Sequence, residues 1–276
     1  MVSQNFHNCK WGFMAYTIFK IGSFSMHGYG LMIGIGIIAA VLMATLRAKG
    51  AGLSADKVWG MILWSTLVGF GGGKLLYIIV EHDRIATDPW GVLGPSGFVV
   101  YGGLIAGISF SVLYAKLSKI SFSRYIDLLV PSLAVGQGFG RLGCLMAGCC
   151  YGREAHAGEW GIIFPHGCDA PADVALIPTQ VYMSIGDFAI AAILLIIDYS
   201  TRNKGRTPGM LIVYYLLMYS VGRFLIEFLR NDVRGSVGAL STSQFIAIFM
   251  VAAAIIIFFV QRKRYKTGSG NEDNTT

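Results

Sequence analysis

The sequence predicts an all-α fold, a polytopic membrane protein of seven transmembrane helices with its N-terminus outside and its C-terminus in the cytoplasm. Three observations carry that expectation. The 276 residues are 54% hydrophobic and only 13% charged, whereas roughly a quarter of a soluble domain is charged. The apolar residues gather into seven stretches that can cross ~30 Å of hydrocarbon at ~1.5 Å per helical residue. The basic residues then alternate between the connections.

The spans fall at about 27–46, 58–80, 97–115, 125–147, 177–199, 209–230 and 242–260. One set of connections holds thirteen basic residues: Arg47, Lys49 and Lys57; Lys116, Lys119 and Arg124; Arg202, Lys204 and Arg206; Arg262, Lys263, Arg264 and Lys266. The other side holds five, Lys10, Lys20, Arg84, Arg153 and Arg234. The positive-inside rule assigns the richer side to the cytoplasm. Topology therefore accounts for the net charge of +7, and no nucleic-acid partner is expected. Affinity of the basic loops for anionic lipid is a secondary effect.

Domain organisation reads as one seven-helix transmembrane domain over 1–262. It begins with an interfacial segment (1–26), in which residues 11–26 are an interfacial helix or irregular lead-in interrupted by Lys20. No cleavable signal peptide is expected. The longest outer loop, 148–176, is placed to cap a site. Residues 263–276 form a basic and then disordered tail.

Five cysteines, Cys9, Cys144, Cys149, Cys150 and Cys168, fall toward the outer side. With His156 and His166 they match no zinc-finger spacing, so no metal and no cofactor is expected. A disulfide from Cys149 or Cys150 to Cys168 is one alternative. Packing of free thiols as small apolar groups is the default.

The sixth span carries Arg223, Glu227 and Arg230 at i, i+4 and i+7, one helix face, with Tyr219 a turn earlier. A charge at the bilayer centre costs ~2.5–3.5 kcal/mol even on the lenient insertion scale, so these groups face a protein interior. At ~1.5 Å per residue, Arg223 lies roughly 21 Å from the cytoplasmic end of its span, and Lys74 and Arg141 roughly 24 Å. His27, Tyr29 and Tyr101 sit at similar depth, all on the outer side. Blander roles exist for each: Arg230 at the interface, Lys74 snorkelling upward, Glu227 only neutralising an arginine. Two arginines, Arg141 and Arg223, set against one Glu leave positive charge for an anion, and a guanidinium fork suits phosphate.

Glycines are the second signal. Gly69/Gly73 and Gly136/Gly140 are small-xxx-small pairs that let helices approach. Residues 138–143 also fit GxGxxG, but they end an apolar span instead of following a strand, so a dinucleotide site is rejected.

These stretches resemble one family, bacterial prolipoprotein diacylglyceryl transferase. The matching pieces are HGYG at 27–30, GGGKLLY at 71–77, YGGLIAG at 101–107, GRLGCLMAGCCYGR at 140–153, PTQVY at 178–182 and GRFLIEFLR at 222–230. The resemblance implies transfer of the diacylglyceryl group of phosphatidylglycerol to the thiol of a prolipoprotein signal peptide, with glycerol-1-phosphate leaving. It also implies a bacterial plasma membrane location with the site toward the outer leaflet. Implied catalytic residues are Arg141, Arg223, Glu227, and Tyr101 or His27. Implied substrate contacts are Arg141, Arg223, Arg230, Tyr29, Lys74, Gly102, Gly103 and Gly152.

The chain departs from the family pattern in three places. Tyr101-Gly102-Gly103 replaces the usual His-Gly-Gly, whose His is generally proposed as the base; a free Tyr has pKa ~10. Cys144 stands for Asn, and Ala147-Gly148-Cys149 for Asn-Gly-Glu. Lys74 stands for Arg. Two other readings stay open: a related transferase with a different acceptor, and a lipid-binding or transport protein without catalysis.

Overall fold

The apolar runs fold as helices because a bilayer offers no water to their N–H and C=O groups, which must pair within the segment. The computed structural model describes residues 17–21, 24–94, 97–166, 168–202, 205–230, 236–238 and 240–272. Its helices are α1 (Gly28–Gly50), α2 (Ala55–Val80), the short α3 (Pro89–Leu93), α4 (Val100–Leu117), α5 (Phe122–Ala147), α6 (Thr179–Thr201), α7 (Met210–Ile226) and α8 (Thr242–Glu272). Among the described residues, seven of these are long and apolar enough to cross a membrane, all but α3. They leave Ile38, Leu46, Leu75, Ile105, Ile196 and Phe259 exposed, as lipid-facing side chains are. The protein is an all-α, multi-pass membrane protein.

The ends of the chain differ from expectation. In place of a helix, β1 (Thr17–Ile21) and β2 (Phe24–His27) pair antiparallel, with Thr17 opposite His27. Aromatic and β-branched residues in TIFKI favour extended backbone. The expected interfacial residues 1–16 lie outside the described residues. At the other end α8 continues to Glu272, well past the expected end of the span, and 273–276 lie outside the described residues.

The chain divides into two compact units, Met43–Leu128 and the remainder, Met1–Leu42 with Leu129–Thr276. In the smaller unit α2 and α4 run antiparallel with almost nothing between their backbones. Gly60 is covered by the Tyr114 hydroxyl, and the Ser65 and Ser111 hydroxyls bond at 2.8 Å. A Cβ on Gly72 would lie 2.3 Å from that of Ala106. These are the small-residue contacts that hold helices together where lipid removes the hydrophobic drive. In the same unit, the Arg47 guanidinium in the last turn of α1 bonds the Leu128 carbonyl of α5.

The larger unit packs α1 on α5, α5 on α6, and α6 and α8 on α7. Gly36 meets Phe139 and the Gly136 carbonyl, and Gly138 accepts the Phe188 ring. Ser184 Oγ donates to the Gly138 carbonyl at 2.9 Å. Asp198, near the end of α6, pairs with Arg202 at 2.8 Å and Arg206 at 2.9 Å. The long loop between α5 and α6 folds around its own small core of Phe164, Ala170 and Leu176. Two short strands, β3 (Ile162–Ile163) and β4 (Ala175–Leu176), pair within it.

Candidate active site

Charge enters the larger unit at the C-terminal end of α7. Arg223 Nη1 lies 2.6 Å from Glu227 Oε2, and both side chains are 9% exposed. Arg223 Nη2 donates to Ser243 Oγ at 2.5 Å, which ties α7 to the first turn of α8. Such a pair needs close geometry, because two charges have been taken out of water together.

Here the chain departs from a single helical face. After Ile226 the backbone tightens into a 3-10 turn, Glu227–Leu229, and Arg230 is extended (φ −92°, ψ 150°). Arg230 therefore leaves the face shared by Arg223 and Glu227. Its backbone forms an antiparallel bridge with Gly152 of the loop between α5 and α6. Its Nη1 lies 3.9 Å from Met183 Sδ.

Gly152 is a packing point. Its N–H donates to the Ile177 carbonyl at 2.9 Å. A Cβ there would come 2.7 Å from the carbonyl oxygens of both Ile177 and Leu229. The glycine lets the loop pass between α6 and the end of α7, and so helps to place Arg230.

Arg141 on α5 reaches the same region from another helix. Its Nη2 lies 3.5 Å from Tyr219 Oη. Tyr219 stacks on Tyr215 at 5.6 Å, and Tyr215 Oη donates to Gln137 Oε1 at 2.5 Å. Tyr219 also lines a small cavity between α6 and α7 with Tyr182, Met183, Asp187 and Arg223. Both arginines thus converge on Tyr219 and the cavity it lines.

Asp187 was not singled out from the sequence. It is 3% exposed, its Oδ2 makes no hydrogen bond, and it lies within electrostatic reach of Arg141. The signal was there: an acidic residue inside an apolar span is a functional candidate by default. It makes the local balance three arginines (141, 223, 230) to two carboxylates (187, 227), still positive.

Tyr29 opens α1, 43% exposed, beside Gly143 of α5. It lies within electrostatic reach of Arg141 and of Cys144, Cys149 and Cys150. His27 ends β2, half-buried. Cys144, Cys149 and Cys150 are free thiols, and Cys168 is disulfide-bonded, so neither Cys149 nor Cys150 is its partner. Hydrogen bonds from Cys144 and Cys149, then from Arg230, hold the Cys150 thiol below its ordinary pKa.

The smaller unit holds the other four sequence candidates. Tyr101 is half-exposed in the first turn of α4. Lys74 Nζ donates to the Val92 carbonyl at 2.7 Å and lies 4.9 Å from the Tyr77 ring centroid. Gly102 and Gly103 have packing roles: a Cβ on Gly102 would lie 2.6 Å from the Gly72 carbonyl oxygen, and one on Gly103 would lie 3.0 Å from that of Gly69.

Comparison with known proteins agrees with this arrangement of motifs. The family model described as prolipoprotein diacylglyceryl transferase matches residues 16–260. The phosphatidylglycerol–prolipoprotein diacylglyceryl transferase 2 of Clostridium perfringens (strain 13 / Type A) is 42% identical over 261 residues, 94% of this chain and 100% of that protein. The like-named enzyme of Clostridium tetani (strain Massachusetts / E88) is 41% identical over 91% of this chain and 99% of its own length. That of Dehalococcoides mccartyi (strain ATCC BAA-2266 / KCTC 15142 / 195) is 30% identical over 92% and 96%. The chain belongs to the prolipoprotein diacylglyceryl transferase family.

Proposed function

We propose that this protein transfers the diacylglyceryl group of phosphatidylglycerol to the cysteine thiol of prolipoprotein signal peptides and releases glycerol-1-phosphate. The observation that carries the reading is the convergence of Arg141 and Arg223, from two helices, on Tyr219 and the cavity it lines. The site acts from the outer leaflet of a bacterial plasma membrane, with the N-terminus outside. The excess of basic residues in the alternate connections supports that orientation. The outer loop caps the site.

The reaction is a displacement at an sp³ carbon. The acceptor sulfur bonds to glycerol C3 of the lipid as the C3–O bond to phosphate breaks. The electron pair leaves on the phosphate ester, and the thiol proton goes to a base. The leaving group is already anionic, so positive charge matters more than a proton. Arg141 and Arg223 clamp it, and Arg230 assists from the loop end. Glu227 holds Arg223 in register through the ion pair. The acceptor thiol, pKa ~8.5, is mostly protonated at neutral pH, so Tyr101 or His27 takes the proton. Tyr29 contributes to the wall that holds the lipid head, and Lys74 is a further candidate contact.

The test is thioether formation by purified protein in phosphatidylglycerol micelles with a lipobox peptide, read by mass spectrometry. A peptide that gains a diacylglyceryl mass, with glycerol phosphate released, supports the assignment. Lipid breakdown with an unmodified peptide points to another acceptor. Neither product from folded protein overturns the enzyme reading. In the same assay a base removed costs about 100-fold or more. If Tyr101→Phe keeps the full rate, His27→Gln is expected to lose it.

A further inference from the structure

We propose that Cys144, Cys149 and Cys150 form a binding site for a soft, thiophilic d10 metal ion, of the class of Zn(II) and Cd(II). Their three Sγ atoms all lie within 4.8 Å of one another. Three thiolates around one ion at ~2.3 Å place their sulfurs roughly 4.0 Å apart. Small side-chain rotations close that difference.

The turn after α5 creates the cluster. Gly148 (φ +66°) and Cys150 (φ +64°) adopt left-handed backbone. The chain folds back, so that the N–H of Cys149 bonds the Cys144 carbonyl at 3.1 Å. A non-glycine residue held at positive φ is a cost of order 1–3 kcal/mol that the surroundings must sustain. They do so from α6. Gln180 Nε2 donates to the Cys149 carbonyl and Thr179 Oγ1 to the Cys150 carbonyl, both at 2.7 Å. Gln180 and Thr179 are fully buried. Cys168 packs against Gly148 from the outer loop. It is already disulfide-bonded, so it braces the turn and is not a ligand. The three thiols are held together by backbone that needs no rearrangement to receive an ion.

Charge favours the same occupant. Three thiolates and one divalent ion carry a net charge of −1. Arg230 reaches the Cys150 sulfur, and Arg141 lies within electrostatic reach of Cys144 and Cys150. Thiolate is the soft ligand that selects such ions over magnesium or calcium. Binding displaces up to three protons, M²⁺ + 3 RSH → [M(SR)₃]⁻ + 3 H⁺, so affinity rises with pH. His166 of the loop between α5 and α6 pairs with Asp173 at 3.2 Å.

Cd(II) alone, added to the full-length protein in detergent without strong reductant, is the probe. Expected are one equivalent bound, a thiolate-to-metal charge-transfer band, and protection of Cys144, Cys149 and Cys150 from N-ethylmaleimide, read peptide by peptide. Cys144→Ser, Cys149→Ser and Cys150→Ser should each weaken binding at least tenfold. Absence of the band and of protection overturns the site. So does binding unchanged in the triple serine variant, or a purified protein in which these thiols are already disulfides. Should the serine variants lose their thermal transition, protection of the wild-type thiols decides alone.

Discussion

The two units solve the membrane problem in opposite ways. The smaller one removes side chains: α2 and α4 meet through Gly69, Gly72, Gly102, Gly103 and Ala106, backbone to backbone. The larger one buries charge: Arg223 pairs with Glu227 one turn on and bonds Ser243 of α8, and Asp187 of α6 lines the same cavity as Arg223. Close glycine packing yields a rigid pair of helices with little chemistry between them. Buried ion pairs give weak evidence of stability, since apolar replacements of similar volume are often as good. We propose that the larger unit carries the phosphate clamp, while close α2–α4 packing gives the smaller unit a stiff frame for Tyr101 and Lys74; the contrast can be broken from either side.

The largest effect is expected from Glu227→Gln. It leaves Arg223 charged where little water can reach it. Breaking one member of a buried pair destabilises by about 3–5 kcal/mol. Thermal unfolding in nanodiscs should show a marked drop in Tm, and transferase activity should fall to background. An unchanged Tm would mean that Arg223 is solvated after all, and the larger unit would lose its distinction.

Arg223→Lys separates charge from geometry. The ammonium can keep a contact with Glu227, so Tm should move little. A point charge cannot reproduce a planar fork. Loss of a charge-assisted hydrogen bond of about 1.5–3 kcal/mol corresponds to roughly a 10- to 100-fold fall in kcat/KM for phosphatidylglycerol. Wild-type turnover would remove this residue from the clamp.

Gly102→Ala probes the other unit. The new Cβ would lie 2.6 Å from the Gly72 carbonyl oxygen and from Leu76 Cβ. Overpacking of that kind typically destabilises by about 1–3 kcal/mol. Stability should fall while the rate per folded molecule holds. The reverse pattern would restore Gly102 to the substrate contacts that the family resemblance implies.

Much of this was legible in residue order, and the exceptions have physical causes. Span positions follow from hydropathy, which acts locally. The Arg223–Glu227 pair follows from helical spacing. Arg230 does not, because the 3-10 turn at Glu227 and the bridge to Gly152 depend on the outer loop, some eighty residues earlier. The glycines of the third span read as part of a binding motif, since nothing in their own segment shows that α2 lies against them. Asp187 has no basic residue at helical spacing in its own span, and its relation to Arg141 exists only in three dimensions. The sequence names the three thiols but gives no reason to group them around one ion. Cys-x4-Cys-Cys matches no finger spacing, and two left-handed residues bring the sulfurs together.

The smallest expected effect lies at the water-exposed edge of the larger unit, where an ion pair carries no buried charge. Arg153 Nη2 lies 2.8 Å from Glu159 Oε1, and Glu159 also accepts the His156 N–H at 2.8 Å. The Arg153 bond, then that N–H, holds the Glu159 carboxyl down to about 2 from an ordinary 4.5. Because the folded pKa is depressed, the pair's contribution is fully present above pH ~4.5. It is lost as pH falls toward ~2. Exposed pairs contribute little and are screened by salt. Hydrogen exchange at residues 153–159 should therefore speed up only modestly, within that window and more at low salt, while α7 stays protected. Arg153→Gln should flatten the response. A response of equal size at α7 would show that loop and clamp titrate as one body, and the separation of a solvated rim from a dry charged interior would have to be withdrawn.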